Sequence, residues 1–499
     1  MEQFRYKRCF NKALIWAVSA VILLYRNRAA ITYPVFMAIT LGILAWDCKS
    51  MGKSLIRDFE GKININLFYC IALMLLSINK CLTYSSDLLI GDGVGILLLF
   101  ICLLLKVYCA QEAKEVTDQL IRMCQVLLVP LQNLEKPFRD RIIARKANAE
   151  AGAEMSEGKK KMRSVLLGLL IAVPLLAVIL ALLSSADLIF GDIIGDIVDS
   201  IELPEMDEDY IGVPVKLFLA FIAFYCWTAC LPAEVFHEKK EGKRFDAVVA
   251  ITFNSLIALV YLIFSGIQFI YLVGKMELPG GYTYAEYAHE GFYQLLAVTI
   301  LNLILVSFCK KHFSENTALK AILTIISLCT YVMIASSALR MYLYVGVYGL
   351  SHLRVYVLWL LVVLAVWTTI LTVGIYKDGI PFFRIITVFV TIWYLVLAFS
   401  FPDKWIVAYD LQLEKVPDHF IIYETYLDAA PVIMEDGTLW DKYCRYNNND
   451  LKIYQEKNII QHIREFNFSE NHAYDLIDQN HNRYEYDHDD EREYENRMW

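Results

Sequence analysis

Eleven apolar segments constrain this 499-residue chain more than any other feature. About 20 apolar residues cross a bilayer as a helix, because backbone polar groups without partners are not tolerated in lipid. Hydrophobic residues make up 57% of the chain and charged residues 20%, against about 45–50% and about 25% in soluble proteins. This composition predicts an all-α polytopic membrane protein and excludes a disordered chain, a disulfide-rich secreted protein and a nucleic-acid binder. The segments are Ala13–Tyr25, Ala30–Trp46, Ile63–Leu82, Val94–Cys109, Val165–Phe190, Val213–Leu231, Ala247–Val273, Phe292–Cys309, Leu319–Leu339, Val355–Tyr376 and Phe382–Phe401.

The first three segments differ from the other eight in length or polarity. The first two are short, so they form either a tight hairpin or one span and one interfacial helix, and the third contains Asn79 and Lys80. The start of the chain is basic, as in a signal peptide, but Arg26-Asn27-Arg28 follows where a cleavage site needs small residues. We therefore expect an uncleaved first helix.

The distribution of charge predicts the orientation. Lys and Arg concentrate in the segments that are cytoplasmic if the N-terminus lies inside, as the positive-inside rule requires. The loop Gly191–Gly212 has eight carboxylates and no cation. Residues 401–499 hold 22 Asp and Glu against 10 Lys and Arg. With an odd number of spans, this acidic tail is extracytoplasmic, and the protein is a multi-pass protein of the cell membrane.

Two regions lie outside the membrane in this topology. Ala110–Arg163 is cytoplasmic and contains an apolar helical pattern, Val116–Leu134, which either lies in the interface and anchors regulators or anionic lipid, or packs under the bundle. Ala147–Lys161 has the composition of a linker. The tail, 402–499, is predicted to form a small α+β or irregular domain with a disordered end. The expected division is 1–109, 110–163, 164–401 and 402–499.

Three stretches and a fainter fourth carry a family resemblance. They are Gly168–Pro174 with Ser185-Ala186-Asp187 and Phe190; Gln268, Tyr271–Gly274, Tyr284–Ala288 and Gly291-Phe292; Ser337–Met341 with Tyr344, Tyr348–Ser351 and Arg354; and Pro402-Asp403, Ile406, Ala408 and Asp428–Pro431. They resemble a bacterial family of multi-pass membrane proteins, catalogued as domain of unknown function 4173 and its 4153 relative. The chain departs at His289-Glu290, where the family tends to have basic residues, and after Pro431. The resemblance implies the architecture and no activity.

Ionisable residues near the outer ends of the spans form the candidate site. Arg binds carboxylate or phosphate in a bidentate manner, and Tyr supplies a rigid face with a polar tip. We expect an outward-facing pocket for an amphiphilic or anionic ligand, lined by Arg340, Tyr344, Tyr348, His352, Arg354, Asp187, Tyr284, Glu286 and Tyr287. The alternative is that the tyrosines form an interfacial belt while Arg340 pairs with Asp187 inside the bundle.

The remaining motifs argue against enzymatic chemistry. No Walker loop, Gly-x-Ser-x-Gly elbow or His-Glu-x-x-His helix occurs, and Gly91-Asp92-Gly93-Val94-Gly95 reads as an outer loop. The sequence also gives no sign of the chain of buried carboxylates that is typical of a proton relay. The 12 cysteines form no disulfide framework, and the His and Asp residues of the tail match no metal spacing, so no metal or cofactor is expected.

Three functions follow from these patterns. The first is non-enzymatic binding or movement of an amphiphilic or anionic ligand in the bacterial envelope. The second is a scaffold or sensor that contacts an envelope partner through the acidic tail. The third is a membrane-embedded enzyme that acts on a lipid-linked substrate through Asp187, Arg340 and His352. Membrane lipid is the expected partner in each, and nucleic acid in none.

Overall fold

The computed structural model describes a helical chain. It covers residues 2–57, 61–109, 116–150, 208–233, 244–273, 284–377, 379–413 and 416–479. The α-helices within these residues are α1 (Glu2–Leu24), α2 (Thr32–Ser50), α3 (Asn66–Leu82), α4 (Ser86–Tyr108), α5 (Val116–Gln132), α6 (Lys136–Glu150), α7 (Glu208–Cys230), α8 (Ala247–Val273), α9 (Tyr284–His312), α10 (Thr317–Tyr348), α11 (His352–Tyr376), α12 (Phe382–Phe399), α13 (Pro402–Asp410), α14 (Asp418–Glu424), α15 (Ala430–Ile433), α16 (Gly437–Gln455) and α17 (Ile459–Arg464). Residues 468–479 are also helical.

Seven of these helices are long and apolar enough to cross a membrane. They are α4, residues Gly212–Cys230 of α7, residues Ala247–Ile270 of α8, residues Phe292–His312 of α9, and α10, α11 and α12. This finding confirms an all-α polytopic membrane protein. The third predicted segment forms the shorter apolar helix α3, and the first two form α1 and α2, which are not among the seven. The fifth, Val165–Phe190, lies outside the described residues, so the eleven-span count stays a prediction.

The chain divides into two compact units. One comprises Met1–Tyr25, Ile43–Gly52 and Leu128–Ala233 as far as they are described, and the other comprises Arg26–Gly42, Lys53–Leu127 and Glu234–Trp499. In the first unit, α1 packs against α6 and α7 around buried charges. Asp140 accepts hydrogen bonds from the Arg5 guanidinium at 2.6 and 2.8 Å and from the Tyr225 hydroxyl at 2.8 Å. Lys12 lies 2.8 Å from Asp47.

Helix α5 occupies the segment in which a cytoplasmic helix was expected. Met123 is buried, whereas Leu120, Leu127 and Leu131 are exposed. Since Val126 and Val129 of the same helix are also buried, the interfacial and the packed interpretations of α5 both stay predictions. The first residues of the predicted linker belong to the end of α6, and the others lie outside the described residues.

In the second unit, α3 and α4 form a hairpin, and α12 packs against both α3 and α11. Two glycines bring α4 close to its neighbours. A Cβ atom on Gly91 would lie 2.3 Å from the Tyr394 hydroxyl of α12, and one on Gly95 would lie 3.0 Å from a methyl group of Leu76 on α3. Gly91–Gly95 is therefore a helical contact surface rather than the outer loop that its composition suggested.

The tail folds as helices over 402–479, so the expected α+β mixture is not found in its described part. Phe420–Tyr423, which reads as alternating in sequence, belongs to α14, where Ile421 and Ile422 are buried. The helices enclose a core of their own, built from Val407, Ile421, Ile422, Leu427, Ala429, Ala430, Ile433, Leu439, Trp440, Tyr443, Leu451, Ala473, Tyr474 and Ile477.

The tail is attached to the turns of the bundle through buried acceptors. Asp428 accepts from the backbone N–H of Tyr84 at 2.7 Å and from the Thr83 hydroxyl, in the α3–α4 turn. Asp410 accepts from the backbone N–H of Leu350, in the α10–α11 turn, at 2.7 Å. Tyr84 and Leu350 lie in turns between helices, where the N–H groups need acceptors from elsewhere, and the buried carboxylates of the tail supply them.

We expect Gly349→Ala to weaken this attachment. Gly349 has a φ of +77°, and its Cβ would lie 2.6 Å from Oδ1 of Asp410. The strained backbone and the displaced carboxylate together cost about 1–3 kcal/mol, seen as a lower Tm in detergent. The control is Gly346→Ala on α10, where a Cβ meets nothing within 4 Å, and which is neutral or stabilising by up to about 1 kcal/mol. Equal Tm values for the two variants would contradict this account of the turn.

Candidate functional site

Three of the predicted site residues come together at the α10–α11 turn. The Arg354 guanidinium lies 4.5 Å from the centre of the Tyr344 ring, and its Nη1 donates to the carbonyl oxygens of Tyr348 at 2.8 Å and Gly349 at 2.6 Å. The rings of Tyr344 and Tyr348 lie 4.9 Å apart. Arg354 thus satisfies the last carbonyls of α10, which is a structural use of its donors.

The other predicted residues are not brought into this group. Arg340 lies two turns before the end of α10, and its side chain has contacts of its own. Asp187 lies outside the described residues. Tyr284, Glu286 and Tyr287 are in the first turn of α9, and their side chains are not described. Two cavities among the described residues, of ≈ 40 Å³ near Arg122 and ≈ 430 Å³ near His419, are lined by neither Arg340 nor Arg354.

His352 belongs to a different group of side chains. It is buried at the start of α11, with Nε2 3.0 Å from Oδ1 of Asp403 and Nδ1 3.9 Å from Oδ2 of Asp87. Asp403, the second residue of α13, is also fully buried and accepts from the backbone N–H of Tyr426 at 3.1 Å. The imidazole therefore lies between one enclosed carboxylate and one that is 41% exposed.

A third carboxylate lies deeper in the same region. Asp92, on the membrane-spanning helix α4, is fully buried. It accepts from Nδ2 of Asn79 at 2.8 Å and from the Tyr394 hydroxyl at 3.1 Å. Lys80 is near Asp92, because its Nζ would lie 3.8 Å from a Cβ on the adjacent residue, Gly93. The same Nζ donates to the carbonyl oxygen of Leu89 at 2.8 Å. At 1.5 Å per residue, Asp92 lies about 9 Å along α4 from its first residue.

One face of α11 connects the two groups. His352, Tyr356 and Trp359 follow each other at helical spacing, and the Trp359 ring packs edge-on against Tyr394 at 6.1 Å. Tyr356 lies within electrostatic range of all three carboxylates. We call this set the polar track; its members are Asn79, Ser85, Asp87, Asp92, His352, Tyr356, Trp359, Tyr394 and Asp403.

Several polar atoms of the track are buried without a hydrogen-bond partner among the described residues. They are Asn79 Oδ1, Ser85 Oγ, Tyr356 OH, Trp359 Nε1 and Asp403 Oδ2. A buried polar group without a partner costs about 1–3 kcal/mol, so each one calls for a physical explanation, such as a catalytic role or a site for water or an ion. An ionisable side chain within a membrane helix is a functional-site hypothesis by default. The polar track is therefore the candidate site.

Sequence reasoning missed this site because it placed Asp92 outside the membrane. The structure begins α4 at Ser86, eight residues before the predicted segment, and so includes Asp92 in the helix. The sequence interpretation also did not foresee that one buried carboxyl, Asp92, lies within a membrane-spanning helix. The signal in the sequence was the pair Asn79 and Lys80, two polar residues within an apolar segment. Only the short connection between α3 and α4 separates their helix from the helix that carries Asp92.

Burial also perturbs the carboxyls of the tail. It raises the pKa of Asp410 to about 6, although the Leu350 N–H and the Arg354 charge act in the opposite direction. Burial likewise raises the pKa of Asp428, with a further rise from the nearby Asp403, and burial raises the pKa of Glu470. These groups hold protons more tightly in the folded protein than in an unfolded chain.

The family model described as "Domain of unknown function (DUF4153)" matches residues 68–434 of the chain. The match confirms the resemblance to the 4153 family. It begins about 100 residues before Gly168, the first residue of the stretches that carry the resemblance, and it includes the polar track. The relation to the 4173 family stays a prediction. No curated protein and no solved structure matches the chain.

The raised pKa of Asp410 predicts a pH-dependent stability. The folded state binds this proton more tightly than the unfolded chain, so the protein loses stability as the pH rises from about 4 to about 6 and keeps the lower value above that. Asp410→Asn retains an acceptor for Leu350 but cannot ionise. Relative to wild type, its Tm should therefore rise across this range, by the equivalent of about 3 kcal/mol for two pKa units.

The control for this measurement is Asp436→Asn. Asp436 is an exposed N-cap of α16, and hydrogen bonds, first that of Thr438, lower its pKa. Its replacement should give a small change of opposite sign. A constant difference between Asp410→Asn and wild type from pH 4 to pH 6 would rule out the titration of Asp410.

Proposed function

The chain belongs to the DUF4153 family, and from this premise we propose that it is a non-enzymatic integral membrane protein that binds a proton within the polar track. The observation that carries the proposal is Asp92, a fully buried carboxyl in a membrane-spanning helix, held by Asn79 and Tyr394. A charged side chain at the centre of a membrane helix costs roughly 2.5–3.5 kcal/mol on insertion scales, so burial there favours the neutral, protonated carboxyl. The free energy of the site is therefore sensitive to proton binding.

The charges of the track favour a cation over the anionic ligand expected from the sequence. Three carboxylates, Asp87, Asp92 and Asp403, face Lys80 and His352. The described residues contain no group of three or more His, Cys, Asp or Glu side chains arranged to hold a metal ion. The proton is the cation that needs no such set of ligands.

Binding fits better than passage across the membrane. Asp87 is partly exposed, so the polar track is open to solvent at the end of the bundle that carries the tail. Beyond Asp92, most of the buried residues of α4 are apolar, among them Leu99, Ile101, Leu103 and Leu104. Within the described residues, α4 therefore offers a proton from the side of the tail no further carboxyl beyond Asp92. We assign that side to the exterior of a bacterial cell, from the distribution of Lys and Arg in the sequence.

The scaffold or sensor function remains a second candidate, and the tail supports it. The tail has its own apolar core and an open cavity of ≈ 430 Å³ lined by Asp418, His419, Tyr423, Lys442 and Tyr446. A partner with mixed polar and aromatic groups suits that cavity. Because Asp403 belongs both to the tail and to the polar track, proton binding and partner binding are expected to be coupled.

Infrared difference spectroscopy tests the proton site. Between about pH 5 and pH 9, the range that burial gives to carboxyl groups, the reconstituted protein should show the C=O stretch of a protonated carboxyl. Asp92→Asn should remove one such band. Tyr394→Phe, which deletes one hydrogen bond to the carboxylate, should shift it.

Asp410→Asn is the matched control, because Asp410 is a buried carboxyl that lies outside the track. It should lose a different band and retain the one assigned to Asp92. A spectrum of folded Asp92→Asn identical to that of wild type would mean that Asp92 exchanges no proton, and the proposal would fail.

A further inference from the structure

The short helix α17 presents an apolar face to its surroundings. Ile459, Ile460 and Ile463 are 79%, 78% and 68% exposed. Their spacing places them on one side of the helix, while His462 packs edge-on against Tyr454 at 4.9 Å on the side of the tail. Asn458 and Gln461 form a capping box, so the helix has a defined start. Three exposed isoleucines within five residues form a continuous apolar face, which is unusual on a surface in water.

Hydrogen bonds fix the position of this helix relative to the bundle. Nδ2 of Asn467 donates to the carbonyl oxygens of Lys80 at 3.2 Å and Thr83 at 2.9 Å. The backbone N–H of Ile31 donates to the carbonyl of Phe466 at 2.9 Å. Lys80 and Thr83 are at the end of α3, and the membrane-spanning helix α4 begins at Ser86. The segment that follows α17 therefore lies at the level where a membrane-spanning helix starts.

Further exposed apolar side chains lie near the residues that follow α17. Ile31 and Phe468 are exposed next to the bonded residues, and Val35 is exposed one turn into α2. Arg28 is exposed in the same loop. Apolar side chains beside cationic ones are the composition of segments that lie in the headgroup region of a bilayer, with the apolar face about 5–10 Å deep.

From this arrangement we infer that α17 lies in the interface of the bilayer that the bundle spans, with Ile459, Ile460 and Ile463 inserted among the lipids. The occupant of this face is lipid, since the residues that follow α17 are bonded at the level where α4 starts and beside Ile31, which is itself exposed. The tail is then held by two kinds of contact. Its buried carboxylates accept hydrogen bonds from the helix turns, and the isoleucines of α17 insert into the lipid.

Site-specific fluorescence measures whether α17 lies in lipid or in water. Cys124 is exposed and Cys444 half-buried, whereas the other ten cysteines are buried. Ile460→Cys is therefore made in a full-length chain with Cys124→Ser and Cys444→Ser, labelled with the environment-sensitive dye NBD, and reconstituted in phosphatidylcholine and phosphatidylglycerol vesicles. The reference is Glu435→Cys, an exposed acidic position of the tail, treated in the same way. Because both positions are exposed, neither variant removes packing.

Quenching then distinguishes the surroundings. Headgroup-proximal spin-labelled lipid should quench NBD at 460 by roughly twofold, as expected for an interfacial depth, and leave the label at 435 unchanged. Aqueous iodide should do the reverse. Quenching of position 460 by iodide alone would show a water-exposed face and overturn the inference. Protection from both quenchers would mean that protein covers the face, such as a second copy of the chain, and would overturn it as well.

Discussion

The structure depends on the requirement that every backbone N–H at a helix end find a partner where water is scarce. The turns between α3 and α4 and between α10 and α11 meet this requirement with side chains of the tail, chiefly Asp428 and Asp410. An acidic tail is thus more than a solubilising surface, because some of its carboxylates are buried acceptors that join it to the bundle. The attachment in turn positions Asp403 against His352, and so the tail completes the polar track.

The membrane-spanning class was predictable because apolar length is a property of local sequence. The start of α4 was not, because Gly91, Asp92 and Gly93 are typical of a loop when they are taken alone. In the folded chain, Gly91 and Gly95 allow α12 and α3 to pack closely against α4. The carboxyl of Asp92 accepts hydrogen bonds from Asn79 and Tyr394, which lie on those two helices. Tertiary contacts therefore override local preference at the residues that form the candidate site.

The same distinction explains the predicted ligand pocket. The structure places Arg354 against Tyr344, but sequence cannot count the carbonyls at the end of α10 that need donors. His352, two residues from Arg354, points to another set of partners entirely. The tail was misjudged in a similar way: Phe420–Tyr423 reads as a strand, yet Ile421 and Ile422 are buried together because α14 packs across α16.

The contact between Gly91 and Tyr394 has a consequence for how the family can diverge. A side chain at position 91 would occupy the place of the Tyr394 hydroxyl, so the larger residue is tolerated only if position 394 becomes smaller. Asp92 would then lose its hydroxyl donor and need another. Positions 91, 92 and 394 should accordingly change together among family members. The residues at these three positions would distinguish members that have an intramembrane carboxyl from members that lack one.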